Sequence, residues 1–372
     1  MKPARIAVIV GTRPEAIKLA PVIRELQRSR RLQPLTISTS QHKQMVRQIF
    51  HDFGVRADAD LDVMRPRQTL SELSSRLALS LGNFFGHDRV DAVLVQGDTT
   101  SAFFGGLCAF YHKIPVGHVE AGLRSGDIYS PFPEEMNRSL LGRVATWNFA
   151  PTARAAANLR REGVPARRIH MTGNTVVDAL QWMIRRVNDA PLRRLVGKLS
   201  RSTKLVLVTC HRRESLGAPM VAVAGAIATL ARENPGLVVL FPIHPNPAVR
   251  EAMMPILKPC PNVSVCEPLN YSDFLACLRR AWLVLSDSGG VQEEATALGK
   301  PVLVLREVTE RTEGIKAGAL QLTGTNKARI LRAARRLLRD AAAYRNMAKA
   351  SKIFGDGRAA RRIVSILEHD LR

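Results

Sequence analysis

The chain has 372 residues, enough for two domains at roughly 150 residues each, and its 46% apolar and 23% charged residues exclude a disordered or collagen-like polypeptide. Its formal charge of +23 favours anionic partners, but Lys and Arg recur along the whole chain and aromatics make up only 5%, too few for a platform that stacks nucleic-acid bases. No apolar run approaches the roughly 18 residues of a membrane span, and the first, at 6–10, runs into Gly-Thr-Arg-Pro instead of a small-residue cleavage site, so a cytoplasmic protein without membrane insertion or nucleic-acid binding is expected.

Short β-branched runs alternate with longer stretches of helical periodicity, which predicts parallel sheets covered by helices, an α/β class. A first set of strands is expected at 5–10, 34–38, 92–96, 115–119 and 147–150, and a second at 204–209, 236–241, 263–266, 282–286 and 301–305. Between the sets, Met171-Thr-Gly-Asn-Thr reads as a connector on its turn residues Gly173 and Asn174, followed by a helix to about 187 and a basic, polar stretch through 202. From 326 onward the chain is helical, broken at Gly355-Asp-Gly, and a last helix at 358–371 is expected to pack back on the first domain. The expected domains are therefore 1–172, 173–354 and the returning segment 355–372. Five scattered cysteines, odd in number and without C-x-x-C spacing, indicate buried thiols and neither a disulfide framework nor a zinc site.

In open parallel sheets ligands bind beyond the carboxyl ends of the strands. The first strand ends in Gly11-Thr-Arg-Pro-Glu-Ala-Ile-Lys18, where Gly11 permits a tight turn, Pro14 suits the first helical position, and Arg13 and Lys18 place cations near a positive helix end. This suits a phosphate, although it matches neither the dinucleotide fingerprint nor the P-loop, and an ordinary strand-to-helix turn explains it as well. Val93-Leu-Val-Gln-Gly-Asp98 puts a carboxylate straight after a buried strand, where a helix N-cap accounts for Asp98 equally. The next strand ends at Glu120 within Gly117-His-Val-Glu-Ala-Gly-Leu-Arg124, and Pro133-Glu134-Glu135-Met-Asn-Arg138 opens the following helix. Several acids on one rim are unfavourable without cations or raised pKa values, the condition in which acid/base roles arise.

In the second half, His211-Arg-Arg-Glu214 ends a strand with an imidazole and two guanidinium groups, which complement a diphosphate, and salt-bridged surface arginines are the plain alternative. Asp287-Ser288-Gly289-Gly290-Val-Gln-Glu-Glu294 begins a helix whose glycine pair lets backbone N–H groups approach phosphate oxygens, with Glu294 placed to accept from ribose hydroxyls. Phe274 suits stacking on a base and equally suits a core, Arg311 offers another cation, and the acidic run Asp58-Ala-Asp-Leu-Asp62 reads as a solvated loop.

Seven blocks, at Gly11–Lys18, Gln96-Gly-Asp98, Gly117–Arg124, Pro133–Arg138, His211–Glu214, Asp287–Glu294 and Thr309-Glu-Arg311, resemble in order and register the non-hydrolysing UDP-N-acetylglucosamine 2-epimerases. The resemblance runs from about residue 5 to 325. It implies two Rossmann-like domains with parallel sheets facing a cleft in a GT-B-like pair, a homodimer, no cofactor or metal, and interconversion of UDP-GlcNAc and UDP-ManNAc. Carried over by position, the active-site acids match Asp98, Glu120 and Glu134 with His211 beside them, and the substrate contacts match Arg13, Lys18, Arg138, Phe274, Ser288, Gly289, Gly290, Glu294 and Arg311. A second UDP-GlcNAc bound as an allosteric activator would use Gln41, Gln44, Arg67, Gln68, Glu135 and Arg212. Cys210 and Pro245 depart from the family pattern in their local loops.

The reaction explains the residue types. The hydrogen on C2 of an N-acetylhexosamine is not next to a carbonyl, so its removal requires departure of UDP from C1, and the departing diphosphate needs cations and N–H groups. Carboxylates then take a proton from one face and return one to the other. Rival expectations are a hydrolysing epimerase releasing ManNAc and UDP, a 2-epimerase of a modified UDP-HexNAc, and a GT-B glycosyltransferase. The product would feed surface polysaccharide.

Overall fold

Residues 6–10 form an apolar run without alternation, and every one of them is fully buried, as a central strand covered on both faces requires. In the computed structural model, which describes residues 2–200, 202–212, 215–349 and 351–371, this run lies in strand β1 (Ala4–Val10). The strands that follow in the first sheet are β2 (Leu32–Ser38), β3 (Ala59–Asp60), β4 (Ala92–Gln96), β5 (Val116–Val119), β6 (Trp147–Ala150) and β7 (Ile169–Met171). All pair in parallel, in the order β3-β2-β1-β4-β5-β6-β7.

The second sheet holds β8 (Lys204–Thr209), β9 (Leu237–Pro242), β10 (Val263–Cys266), β11 (Leu283–Ser286), β12 (Val302–Val304) and β13 (Leu320–Leu322), in the parallel order β10-β9-β8-β11-β12-β13. Each sheet thus starts in its middle, grows outward in one direction, then returns to grow in the other. That is the doubly wound, Rossmann-like order, and its reversal points lie between β1 and β4 and between β8 and β11. The α/β class expected from the alternation is the class observed.

Three strands, β3, β7 and β13, go beyond the ten expected. Each has two or three residues and lies at a sheet edge, so pairing defines it and no apolar run announces it. The strand expected from Pro115 starts at Val116 because proline has no N–H to give the ladder.

By contacts the chain divides into two compact units, Met1–Gln181 with Phe354–Arg372, and Trp182–Ile353. The first crossing falls inside the helix Thr175–Ile184, nine residues beyond the expected boundary at 172, because that helix begins on the first unit. The first unit's core includes Leu73, Leu77 and Leu81, at helical spacing along Leu70–His87, packed with Ile9, Val93 and Val95 of the sheet. The second unit's core sets Val223, Ile227 and Leu230 of the helix Ala218–Glu233 among Val206, Val208 and Val239. The last helix, Ala359–Asp370, lies on the first unit, where Ser29 Oγ donates to Glu368 Oε1 (2.5 Å) and Trp147 Nε1 to Asp370 Oδ2 (2.6 Å). Cys108, Cys210, Cys260 and Cys277 are buried free thiols, and Cys266 is half-buried.

Candidate functional site

Among the residues singled out by their motifs, Arg13 and Asp98 follow β1 and β4 at the first reversal point, and His211 and Ser288 follow β8 and β11 at the second; the others follow these or nearby strands. In the first unit, Gly11 follows β1 where any side chain would collide, since a Cβ there would stand 2.5 Å from Ser101 Oγ and 2.7 Å from Thr39 Oγ1. The backbone N–H groups of Gly11 and Thr12 donate to Glu15 Oε2 (3.1 and 2.6 Å), and Thr99 Oγ1 donates to Glu15 Oε1 (2.7 Å). Glu15 thereby ties the turn that carries Arg13 to the turn that carries Asp98. Burial pushes its carboxyl up to about 7, against the pull of these donors. Arg13 is half-buried, and its backbone N–H reaches His42 Nδ1 at 3.5 Å.

Glu120, just past β5, is 6% exposed and adopts a left-handed backbone (φ +67°) that a residue with a Cβ rarely holds. Its Oε2 accepts from Lys18 Nζ and Gln96 Nε2, and its Oε1 from Asn174 Nδ2 (3.2 Å). Lys18, expected as a substrate contact, is a buried partner of Glu120, 7% exposed. Its position one turn into the helix Arg13–Arg28 directs it at the end of β5.

Asp98 follows β4 with its side chain 28% exposed and pairs with Arg138 Nη2, whose Nη1 lies 3.3 Å from Glu135 Oε2. Asn137 Nδ2 donates to the Asp98 carbonyl (2.9 Å). The helix Glu134–Val144 is thus fastened to the β4 turn, with Glu134 half-buried at its first position. Behind the turn, His118 is fully buried with Nε2 2.7 Å from the Gly97 carbonyl, and burial lowers its pKa to about 4. It is neutral at physiological pH.

Among the residues assigned to an activator, Gln41 Oε1 accepts from Ser101 Oγ (3.0 Å) beside Gly11. Gln44 and Arg67 are exposed, and Gln68 Oε1 accepts from Arg65 N (3.1 Å) and Arg76 Nη1 (2.8 Å) within its own loop and the helix that follows. Glu135 is 4% exposed and accepts from Ser125 N at 2.9 Å and Gly126 N at 3.3 Å. Arg212 lies in the other unit, half-buried.

In the second unit, Asp287 follows β11 and is fully buried. Its Oδ1 lies 3.0 Å from His211 Nδ1, and its Oδ2 accepts from the backbone N–H groups of His211 (2.7 Å) and Arg212 (2.8 Å). Burial alone would raise the Asp287 pKa, yet the imidazole and the two N–H groups outweigh it and hold the carboxyl at about 2. His211 stacks on His244 with ring centroids 5.7 Å apart, and desolvation followed by the neighbouring His211 lowers the His244 pKa. Cys210 is buried behind Asp287, and burial and then the carboxylate keep its thiol protonated. Arg213 and Glu214 of the same motif lie outside the described residues.

Ser288 precedes the helix Gly289–Ala297. The two glycines differ in purpose. A Cβ on Gly289 would stand 2.6 Å from Arg311 Cζ, whereas one on Gly290 would meet nothing within 4 Å. Gly289 makes room for a protein side chain, and Gly290 leaves the helix end open. Arg311, expected as a cation for the diphosphate, is 6% exposed, with Nε 2.9 Å from Glu293 Oε1 and Nη1 3.3 Å from Glu310 Oε2, which Arg306 also meets. Glu294 is 4% exposed and accepts from the Tyr271 hydroxyl (2.7 Å), from the helix whose first turn also carries the half-buried Phe274.

Glu15, Gln96, Asn174 and Asp287 hold these groups although the motifs give them no role. The only signal for them is position, since each adjoins a strand end or a glycine turn. Among the described residues, no group of three or more His, Cys, Asp or Glu could hold a metal ion. The arrangement offers two carboxylates with separate cations in one unit, and in the other an imidazole beside an open helix end.

Comparison with known proteins gives the family. Residues 24–368 match the family model described as UDP-N-acetylglucosamine 2-epimerase. The chain is 46% identical to the UDP-N-acetylglucosamine 2-epimerase of Bacillus subtilis, over 99% of this chain and 96% of that one. It is 44% identical to the protein of the same name from Yersinia pestis, over 98% of both. A crystal structure of the UDP-GlcNAc 2-epimerase from Neisseria meningitidis bound to UDP-GlcNAc superposes with a TM-score of 0.95 at 39% identity, covering 98% of this chain and all of that one. With the match spanning nearly its whole length, the chain belongs to the UDP-N-acetylglucosamine 2-epimerase family.

Proposed function

We propose that this chain interconverts UDP-N-acetylglucosamine and UDP-N-acetylmannosamine by inversion at C2, without releasing free ManNAc. The observation that carries the reading is the pairing of Asp98 with Arg138 and of Glu120 with Lys18 at the carboxyl ends of adjacent strands. Two carboxylates, each paired with its own cation, can serve two faces of a sugar ring, which one carboxylate cannot.

The C1–O bond breaks with its electron pair leaving on UDP, the C2 proton passes to a carboxylate, and a C1–C2 double bond forms, giving 2-acetamidoglucal. Return of a proton to the opposite face and re-addition of UDP at C1 give the epimer. Asp98, Glu120 and Glu134 are the proposed proton carriers. Lys18 and Arg138 act on the first two as their counter-ions. Arg13, His211, Ser288 and the Gly289-Gly290 helix end stabilise the departing diphosphate, because oriented charges and N–H groups act on charge as it develops. Arg311 supports that helix end through Gly289, and Phe274 and Glu294 take the base and ribose. The same reading assigns Gln41, Gln44, Arg67, Gln68, Glu135 and Arg212 to a second, activating UDP-GlcNAc, and the product to surface polysaccharide. Exposed Leu79, Phe110 and Tyr111 on the helices Leu70–His87 and Thr100–Tyr111 support a homodimer.

Incubation with UDP-GlcNAc in deuterated water, followed by NMR, tests the reading. Both UDP-sugars should carry deuterium at C2. Free ManNAc as the product would establish a hydrolysing enzyme instead, and inversion without solvent label would refute the elimination.

A further inference from the structure

Asn174 lies in the turn between β7 and the helix Thr175–Ile184 and is 1% exposed. Its Oδ1 accepts from the Val176 N–H (3.1 Å), and its Nδ2 donates to Glu120 Oε1 (3.2 Å). These two partners fix which way round the amide sits, because an N–H can be met only by the oxygen and a carboxylate only by the nitrogen. The backbone is held as firmly. Asn174 N donates to the Phe354 carbonyl at 2.7 Å, and Gly355 packs so close that a Cβ there would stand 3.2 Å from Asn174 N and 3.3 Å from its carbonyl oxygen. The returning C-terminal segment therefore clamps the residue whose amide reaches Glu120.

Glu120 has its other oxygen on Lys18 and Gln96 and its backbone in the left-handed region. We infer that Asn174 is a positioning residue for Glu120, fixing the plane of its carboxylate and favouring the ionised form. The inference rests on the reading that Glu120 carries the C2 proton. A donor on a carboxylate stabilises its anion, and a like charge in the same place does the opposite. Among the described residues, the charged and titratable groups near Glu120 include Lys18 from the helix Arg13–Arg28, and His118, which also feels Asp98 and Arg124. On the helix Thr175–Ile184, Asp178 is turned to the N–H groups of Ala359 and Ala360.

Asn174→Asp isolates this role. It keeps the acceptor for Val176 and nearly the same shape, but sets an oxygen against Glu120 Oε1. Its kcat should fall about 10- to 100-fold, the scale on which misplacing a reacting group acts, with KM for UDP-GlcNAc within about twofold. The acid limb of the kcat profile should move up by about one pH unit. Asn174→Ser, which retains an acceptor and removes the donor from Glu120, should shift the limb in the same direction and serves if the aspartate variant does not fold. A lowered Tm with an unchanged pH profile and kcat would make Asn174 a helix cap and nothing more, overturning the inference. Glu120→Gln separates the two readings. If it still exchanges the C2 hydrogen with solvent, the assignment of Glu120 falls; if it is inactive while both Asn174 variants behave as wild type, only the inference about Asn174 falls.

Discussion

Asp287 carries His211. One carboxylate, fully buried, meets the imidazole at 3.0 Å and takes the two backbone N–H groups that begin the loop after β8. The aspartate sets both the orientation of the ring and the course of the chain that bears it. Because Nδ1 faces the carboxylate, Nε2 is the nitrogen turned away from it.

This pairing predicts an acid dependence. The Asp287 pKa is depressed from 3.8 to about 2, so its contribution to stability is fully present above about 4 and is lost as the pH falls through 2. The shift corresponds to about 2 kcal/mol. Asp287→Asn should remove that part of the acid sensitivity, read as a flatter unfolding free energy between pH 4 and 2. Its turnover should also fall, because the imidazole loses its anchor.

Glu15 has the opposite sign. Its pKa is raised from 4.5 to about 7 by burial, so the folded state holds the proton more tightly than the unfolded chain. The stability linked to this proton is complete below 4.5 and disappears as the pH rises through 7, a change of about 3 kcal/mol. Denaturant unfolding of Glu15→Gln at pH 5 and pH 8 should show a smaller difference than the wild type shows.

The two glycines ahead of the helix Gly289–Ala297 should respond differently to alanine. Gly289→Ala drives a methyl group into the Arg311 guanidinium, which cannot yield without leaving Glu293 and Glu310. A loss of about 1–3 kcal/mol is expected, the usual cost of overpacking. Gly290→Ala meets nothing, so stability should stay within about 0.5 kcal/mol or rise. Its effect should appear as a raised KM for the UDP-sugar, measured by titration of initial rates.

Asp98→Asn leaves the outline of the β4 turn in place but removes the charge that pairs with Arg138. Loss of one proton-transfer group costs about 100- to 10,000-fold in rate. The measurement is kcat in both directions, and turnover near the wild-type value would remove Asp98 from the chemistry.

Arg67→Ala tests the activator assignment alone. Arg67 is exposed, so folding should be unaffected. Initial rates from UDP-ManNAc, with and without added UDP-GlcNAc, should lose their activation while the basal rate persists.

What could be read from the chain and what could not follow from the range of the forces involved. Strands such as β1 and β4 are legible because burial on both faces writes itself into consecutive residues, as at 6–10. β3, β7 and β13 exist only through pairing with a neighbour. The motifs marked where the site residues lie, since turns after strands need particular residue types. They did not reveal the partners, which are distant in sequence. Lys18 meets Glu120 across 102 residues, Asp98 meets Arg138 across 40, and Asp287 meets the His211 N–H across 76. Arg311 shows the same limit. Its charge is evident in the sequence, but its engagement by the carboxylates of Glu293 and Glu310 beneath Gly289 is not.

The backbone at Glu120 has a consequence for how this position would drift under different pressures. A φ of +67° is one that glycine adopts freely and glutamate does not. Randomise positions 18 and 120 together and retain clones only for folding, and glycine beside an apolar neighbour should come to dominate. Retain them for turnover, and Lys with Glu should return.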